Sequence, residues 1–172
     1  MSRTESRLQV ELKQSRPFAS PAEEAFLSVL KTADLLTRVL DQHLAAHDLT
    51  HQQYNVLRIL RGAGAQGIPT LAIADRLIEC TPGMTRLLDR METKGLVLRK
   101  RCREDRRQVL CYAAPRGNDL LDQLEPILRP LVERFFERIR PAELETFIET
   151  MERVREQAAG AQRPAQIQTH LN

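Results

Sequence analysis

The chain has 172 residues, a formal net charge of +3 and 42% hydrophobic residues, enough for one ordinary domain with extensions around a buried core. No run approaches the roughly 20 apolar residues of a membrane helix, and Met1–Ser6 lacks the apolar core of a secretion signal, so a cytoplasmic protein with no membrane partner is expected. Cys80, Cys102 and Cys111 make no paired framework and read as reduced thiols.

Residues 1–19 form a polar N-terminal arm. Within it Leu8, Val10 and Leu12 alternate with Gln9, Glu11 and Lys13, the pattern of a short strand or an extended arm on a partner subunit, beside the plainer reading of a mobile tail. Ser20, Pro21 and Glu23 then open a helix by a capping box with proline at its first position. Phe26, Val29, Leu30, Ala33, Leu36, Val39, Leu40 and Leu44 follow at helical spacing to about His47, where Asp48-Leu49 breaks the helix. Thr50 and Gln53 make a second capping box, for a helix with Tyr54, Leu57, Ile59 and Leu60 on its apolar face. Gly62–Gly67 ends it as a loop.

Thr70 is expected to cap a short helix with Leu71, Ala74, Leu77 and Ile78 inward, and Glu79-Cys80 to form a turn. Thr81 caps the next helix, with Pro82 at its first position. Met84, Leu87, Leu88 and Met91 face inward, which leaves Gly83, Thr85, Arg86, Asp89 and Arg90 outward, and Gly95 closes the helix in a left-handed cap. Leu96–Cys102 and Gln108–Ala113 are rich in strand formers and flank a charged turn, so they read as a hairpin. From about Gly117 a long helical pattern carries Pro126 and Pro130, which predicts a bent helix or two segments. Pro141 opens a last helix with Leu144, Phe147, Ile148, Met151 and Val154 inward, and residues 158–172 read as a frayed, disordered tail.

The order helix, turn, helix, strand, basic hairpin, strand describes a winged helix-turn-helix within a mainly α chain. Arg99, Lys100, Arg101, Arg103, Arg106 and Arg107 gather against Glu104 and Asp105, a local positive charge suited to a phosphate backbone. In such a motif the second helix enters the major groove with its N-terminal residues nearest the bases. Thr81, Pro82, Gly83, Thr85, Arg86 and Arg90 are therefore the candidate base and phosphate contacts, and Arg86 and Arg90 can donate bidentately to guanine. At the hairpin, Arg101, Arg103, Arg106 and Arg107 are the candidate wing contacts, with Asp105 able to hold Arg107 in place. The plainer alternatives are surface ion pairs, such as Arg86 with Asp89, and a winged helix used for protein contacts. No phosphate-binding glycine motif, metal-hydrolase motif or nucleophile elbow appears, so neither an enzyme nor a cofactor is expected.

Three segments carry a specific resemblance. Leu49-Thr50, Gln53-Tyr54, Val56-Leu57 and Leu60 come first, then Met84–Met91 running on to Lys94-Gly95-Leu96-Val97, then Asp105-Arg106-Arg107. In this order and spacing the chain, from about Phe26 to Val154, resembles the MarR family of bacterial transcriptional regulators. The resemblance implies a homodimer whose dimerisation helices lie at 20–48 and 117–157, with a DNA-binding winged helix at 49–114. It implies binding to a palindromic operator in double-stranded DNA, usually as a repressor, and release by a small-molecule effector or an oxidant. Two departures stand out. After the wing, Ala113–Gly117 keeps only the glycine of the family's Leu-Thr-x-x-Gly segment, and Thr81-Pro82-Gly83 replaces the usual small polar opening of the reading helix. The first long helix has no cysteine, so Cys102, flanked by Arg101 and Arg103, is the candidate sensor thiol against the reading of a reduced thiol with no regulatory role. His43 and His47, with Asp48 and His51 nearby, have a spacing that can bind metal, but a solvated or interface pair fits them as well.

Overall fold

The structure, a computed structural model, describes residues 6–79, 83–102, 105 and 108–162. It divides into two compact units, Met1–Glu125 and Pro126–Asn172. Among the described residues no helix is long and apolar enough to cross a membrane.

The first unit begins with α1, Arg7–Glu11, where the sequence pattern suggested a strand or an extended arm. The Ser6 hydroxyl accepts a hydrogen bond from the Gln9 amide (3.2 Å), and this local cap turns the alternating stretch into a helical turn. Next comes α2, Pro21–Ala45. Ser20 accepts from the Glu23 amide (3.1 Å), but Glu23 reaches one residue further back than a capping box requires, to the Ala19 amide (2.6 Å). The helix ends slightly earlier than its periodicity suggests, and Asp48 turns the chain with a φ of 52°. The capping box of α3, His51–Ala63, is complete: Thr50 accepts from the Gln53 amide and Gln53 accepts from the Thr50 amide. Its inward residues are Gln53, Val56, Leu57 and Leu60, with Tyr54 and Ile59 half-buried.

A 3₁₀ turn, Gly64–Gln66, leads to a strand that the sequence concealed, β1, Ile68–Pro69. Thr70 is then the first residue of α4, Thr70–Ala74, rather than its cap, and its hydroxyl lies 3.7 Å from the Cys111 thiol. This helix is shorter than expected and turned differently. Ile73 is buried, Ala74 is exposed, and Leu71 and Ile78 are 80% and 85% exposed. With one turn and no residue beyond Ala74 in helical phase, an i, i+3, i+7 face cannot persist to Ile78.

The second helix of the expected helix-turn-helix is α5, Met84–Thr93. It starts later than the Thr81-Pro82 signal suggests, with Gly83 in the cap position at φ 88° and no side-chain cap. Met84, Leu87, Leu88 and Met91 are all buried, as their spacing predicts. At its end the Gly95 amide donates to the Glu92 carbonyl (2.8 Å) and the Leu96 amide to the Met91 carbonyl (2.9 Å), with Gly95 at φ 69°, the paired bonds of a Schellman ending. Strands β2, Val97–Arg101, and β3, Val109–Ala113, form the predicted hairpin, with Arg99 opposite Cys111. β1 pairs antiparallel with the other edge of β3.

α6, Pro115–Phe136, is one continuous helix through Pro126 and Pro130. Leu121 and Leu124 join Leu44, Leu57, Leu88 and Val97 among the buried side chains. Gly117 is buried where any Cβ would run into the Leu96 carbonyl and approach Leu57 Cδ2 to 3.0 Å. In the second unit, α7, Pro141–Gln162, carries the last helix past the point where a frayed tail was expected. Residues 163–172 lie outside the described residues. Phe147, Ile148 and Val154, which periodicity marks as inward, are about half exposed, as are Phe26 and Leu30 on α2.

Candidate nucleic-acid interface

The inward stripe of α5 dictates what its other face can do. With Met84, Leu87, Leu88 and Met91 in the core, the residues left pointing out are Thr85, Arg86, Asp89 and Arg90, all exposed, with Gly83 at the helix entrance. Gly83, Arg86, Asp89 and Arg90 line one open recess of about 900 Å³. The Arg86–Asp89 surface pair does not form. Asp89 instead receives the Arg99 guanidinium from β2, with Nη2 to Oδ1 at 2.6 Å. Arg99 also donates from Nε to Glu92 Oε2 at 2.9 Å. The hydrogen bond to Glu92 is the main reason its guanidinium holds its proton more firmly than an ordinary arginine; burial opposes this and Asp89 adds to it. The result is two exposed guanidinium groups, Arg86 and Arg90, with no ion-pair partner among the described residues, while the acids of the same helix are occupied by the wing strand.

The hairpin stands beside that helix. Its tip closes with the Cys102 amide donating to the Gln108 carbonyl (3.0 Å) and the Gln108 amide donating to the Asp105 carbonyl (2.9 Å). Arg101 and Asp105 are exposed. Lys100 lies over the Tyr112 ring, 5.6 Å from its centroid. Thr81 and Pro82, and Arg103, Arg106 and Arg107 at the wing, lie outside the described residues. A second recess, of about 360 Å³, opens where α4, α5 and the wing meet and is lined by Leu71, Thr85, Arg99 and Gln108. Arg99, Gln108 and exposed Leu71 line this recess, and sequence reasoning had proposed none of them as an individual contact. Arg99 was counted only as wing charge, because its partners depend on how β2 lies against α5.

A domain match to the MarR family covers residues 49–109, the winged segment. The crystal structure of a MarR transcription factor from Planctomyces limnophilus is 38% identical, covers 79% of this chain and 98% of that one, and superposes with a TM-score of 0.60. The chain belongs to the MarR family. Transcriptional regulator HosA of Escherichia coli O157:H7 is 28% identical over 124 residues, 69% of this chain and 90% of HosA. Sco3205 of Streptomyces coelicolor, a MarR-family regulator solved in complex with DNA, shares the fold with a TM-score of 0.73 at 22% identity, over 83% of this chain and 91% of its own. This MarR-family chain is thus a transcriptional regulator of winged-helix architecture.

The remaining candidates are placed as follows. Cys111 is buried, and burial pushes its thiol up, against smaller opposing effects of Thr70 and Arg99. Cys102 is half-buried near the wing, and Cys80 lies outside the described residues. His43 turns Nδ1 to the Val39 carbonyl at 2.9 Å. His51, counted in the sequence only as a spare metal ligand, sits between two carboxylates. Nδ1 is 3.0 Å from Asp41 Oδ1 and Nε2 is 3.2 Å from Glu79 Oε2. These partners lie ten and twenty-eight residues away, beyond the reach of any local spacing rule.

Proposed function

We propose that the protein is a homodimeric repressor that binds a palindromic operator in double-stranded DNA and releases it on binding a small effector. The carrying observation is the outward face of α5, where Thr85, Arg86 and Arg90 are exposed and the acidic neighbours are bound by Arg99. Such a helix can seat in a major groove, with Arg86 and Arg90 donating to guanine or phosphate. Gly83 lets the backbone approach closely. Thr81 and Pro82 extend the same contact, and Arg101, Arg103, Arg106 and Arg107 grip the neighbouring backbone or minor groove from the wing, with Asp105 steadying Arg107. The solved DNA complex of Sco3205 supports this use of the fold.

Dimerisation is supported by the uncovered apolar side chains of α2 and α7, including Phe26, Leu30, Phe147 and Ile148. A larger exposed apolar area than a monomer normally carries marks a protein interface. An effector is supported by a cavity of about 150 Å³ lined by Leu40, Tyr54, Arg58, Leu77 and Ile78. Its walls combine these side chains with His51, Gln52, Asn55 and Glu79, so charges of both signs and several polar groups meet an apolar floor, a mixed lining that suits a small polar compound. Such a ligand acts by changing the separation of the two reading helices, so that both half-sites cannot be engaged at once.

Fluorescence anisotropy with DNA from upstream of the protein's own gene, across a salt series with random DNA as competitor, tests the reading. Sequence-preferring binding with a steep salt dependence is expected, because each phosphate contact releases counterions. Binding no tighter than to random DNA, at every salt concentration and over the neighbouring promoter regions as well, rejects it.

A further inference from the structure

We infer that the Asp41–His51–Glu79 cluster is a proton-dependent clamp that ties the segment leading into the reading helix to the long helix α2, so that operator affinity falls as pH rises through the neutral range. The inference rests on the DNA-binding reading above and adds a means of regulating it.

The geometry carries the argument. His51 is the first residue of α3, and its backbone amide donates to Asp41 Oδ1 of α2 at 3.0 Å. Its Nδ1 lies 3.0 and 3.1 Å from the two Asp41 oxygens, and its Nε2 lies 3.2 Å from Glu79 Oε2. Both ring nitrogens therefore face carboxylates. A neutral imidazole has one N–H and one lone pair, and only the imidazolium donates from both nitrogens. The arrangement is satisfied only when the ring is protonated.

Loss of the proton breaks one end selectively. Asp41 is held by the His51 amide and by two ring contacts, so the remaining proton stays on Nδ1. The Nε2 lone pair then faces Glu79 Oε2, and the contact becomes repulsive. Glu79 retains the Gln52 amide, 3.3 Å away, a neutral donor to set against a lost charge-assisted one. Glu79 stands only five positions before Met84, the first residue of α5, and Ile78 beside it is 85% exposed.

Two carboxylates around the ring favour the imidazolium and one cation opposes it. Asp41 faces the ring from α2 and Glu79 from the lead-in, while Arg58 of α3 shares with His51 and Glu79 the lining of one cavity. Burial on its own draws the imidazole down, but the hydrogen bonds to Glu79 and then Asp41, with their charges, outweigh it and leave His51 above its ordinary value. The transition thus lies above the ordinary value of a residue whose charge changes nearest neutrality.

The test uses the full chain and two readouts. Without DNA, NMR titration of histidine-labelled protein is expected to show His51 titrating above the ordinary imidazole range, to show that value falling in Glu79→Gln, and to show the amides of Leu77–Glu79 moving with it. With DNA, operator affinity is expected to weaken roughly fivefold between about pH 6 and pH 8, a coupling of ordinary allosteric size, and His51→Gln should flatten the curve. His51 titrating at or below its ordinary value, or indifferent to Glu79→Gln, overturns the clamp. A normal titration with parallel affinity curves for wild type and His51→Gln overturns its coupling to DNA. Absence of sequence-preferring binding at every pH rejects the DNA-binding reading, and the coupling with it, while the titration still decides the clamp.

Discussion

At the residue scale the informative side chains are those whose partners lie on other elements. Arg99 joins β2 to Asp89 and Glu92 of α5, so Arg99→Ala should do two things. It should cost about 1 kcal/mol in urea denaturation, the scale of a partly exposed charge-assisted network. It should also weaken operator binding several-fold, because Asp89 and Glu92 are released on the helix proposed to approach phosphate. A variant with parental stability and affinity would make the bridge incidental. Gly117 stands where no side chain fits. A methyl group would meet the Leu96 carbonyl, which is backbone and cannot turn aside. Gly117→Ala should cost about 2 kcal/mol, in the range of overpacked cores, and a loss near zero would mean that α6 can slide away from Leu96 freely. His51 also makes stability depend on pH. Its folded-state value is raised, so its contribution is fully present below the ordinary value of about 6.5 and is lost as pH rises through the higher folded one. Thermal midpoints of wild type should decline across that window while those of His51→Gln do not, and equal declines in both would assign the effect elsewhere.

At the element scale, α5 is the piece most sharply delimited by its own residues. Gly95 closes it at φ 69°, and the nearest atom to an added Cβ is Arg116 Cδ at 4.0 Å. Gly95→Ala therefore tests backbone strain alone and should cost about 1 kcal/mol; an unchanged denaturation midpoint would show that the ending relaxes. The buried face of α5, the Thr50–Gln53 box and the hairpin were legible in the sequence because each rests on residues within a few positions of one another. α4 was misread because one helical turn cannot be phased from periodicity, and Leu71 and Ile78 look like core residues until the turn ends at Ala74. β1 was hidden because two residues, one of them proline, carry no alternation. α1 was missed, the stretch being read as a short strand, an extended arm or a mobile tail, because a period of two over five residues does not outweigh a cap at Ser6. The candidate contacts were placeable from the sequence in the same proportion. Arg86 and Arg90 follow from the helix face, whereas the Arg99 bridge and the His51 cluster depend on packing between distant segments.

At the scale of the whole molecule, the side chains that periodicity assigns to a core and the single chain leaves in solvent define the largest remaining expectation. Phe26 on α2 and Phe147 and Ile148 on α7 are 63%, 47% and 49% exposed, and residues of this kind are ordinarily covered. A second copy would cover both faces, and it would supply the second reading helix that a palindrome demands at a separation of roughly one DNA turn. Replacing Phe26 and Ile148 by glutamate places charge on both faces without touching α5 or the wing. The double variant should sediment as a monomer. Its circular dichroism should remain largely helical, since none of the core of residues 44–124 is altered. Its affinity for a full operator should fall roughly a hundredfold or more, because linked half-site binding is lost, while its affinity for an isolated half-site should change little. A monomer that still binds the full operator tightly would show that one winged helix suffices and that the apolar faces serve another partner. A variant that remains dimeric would locate the interface on surfaces other than α2 and α7.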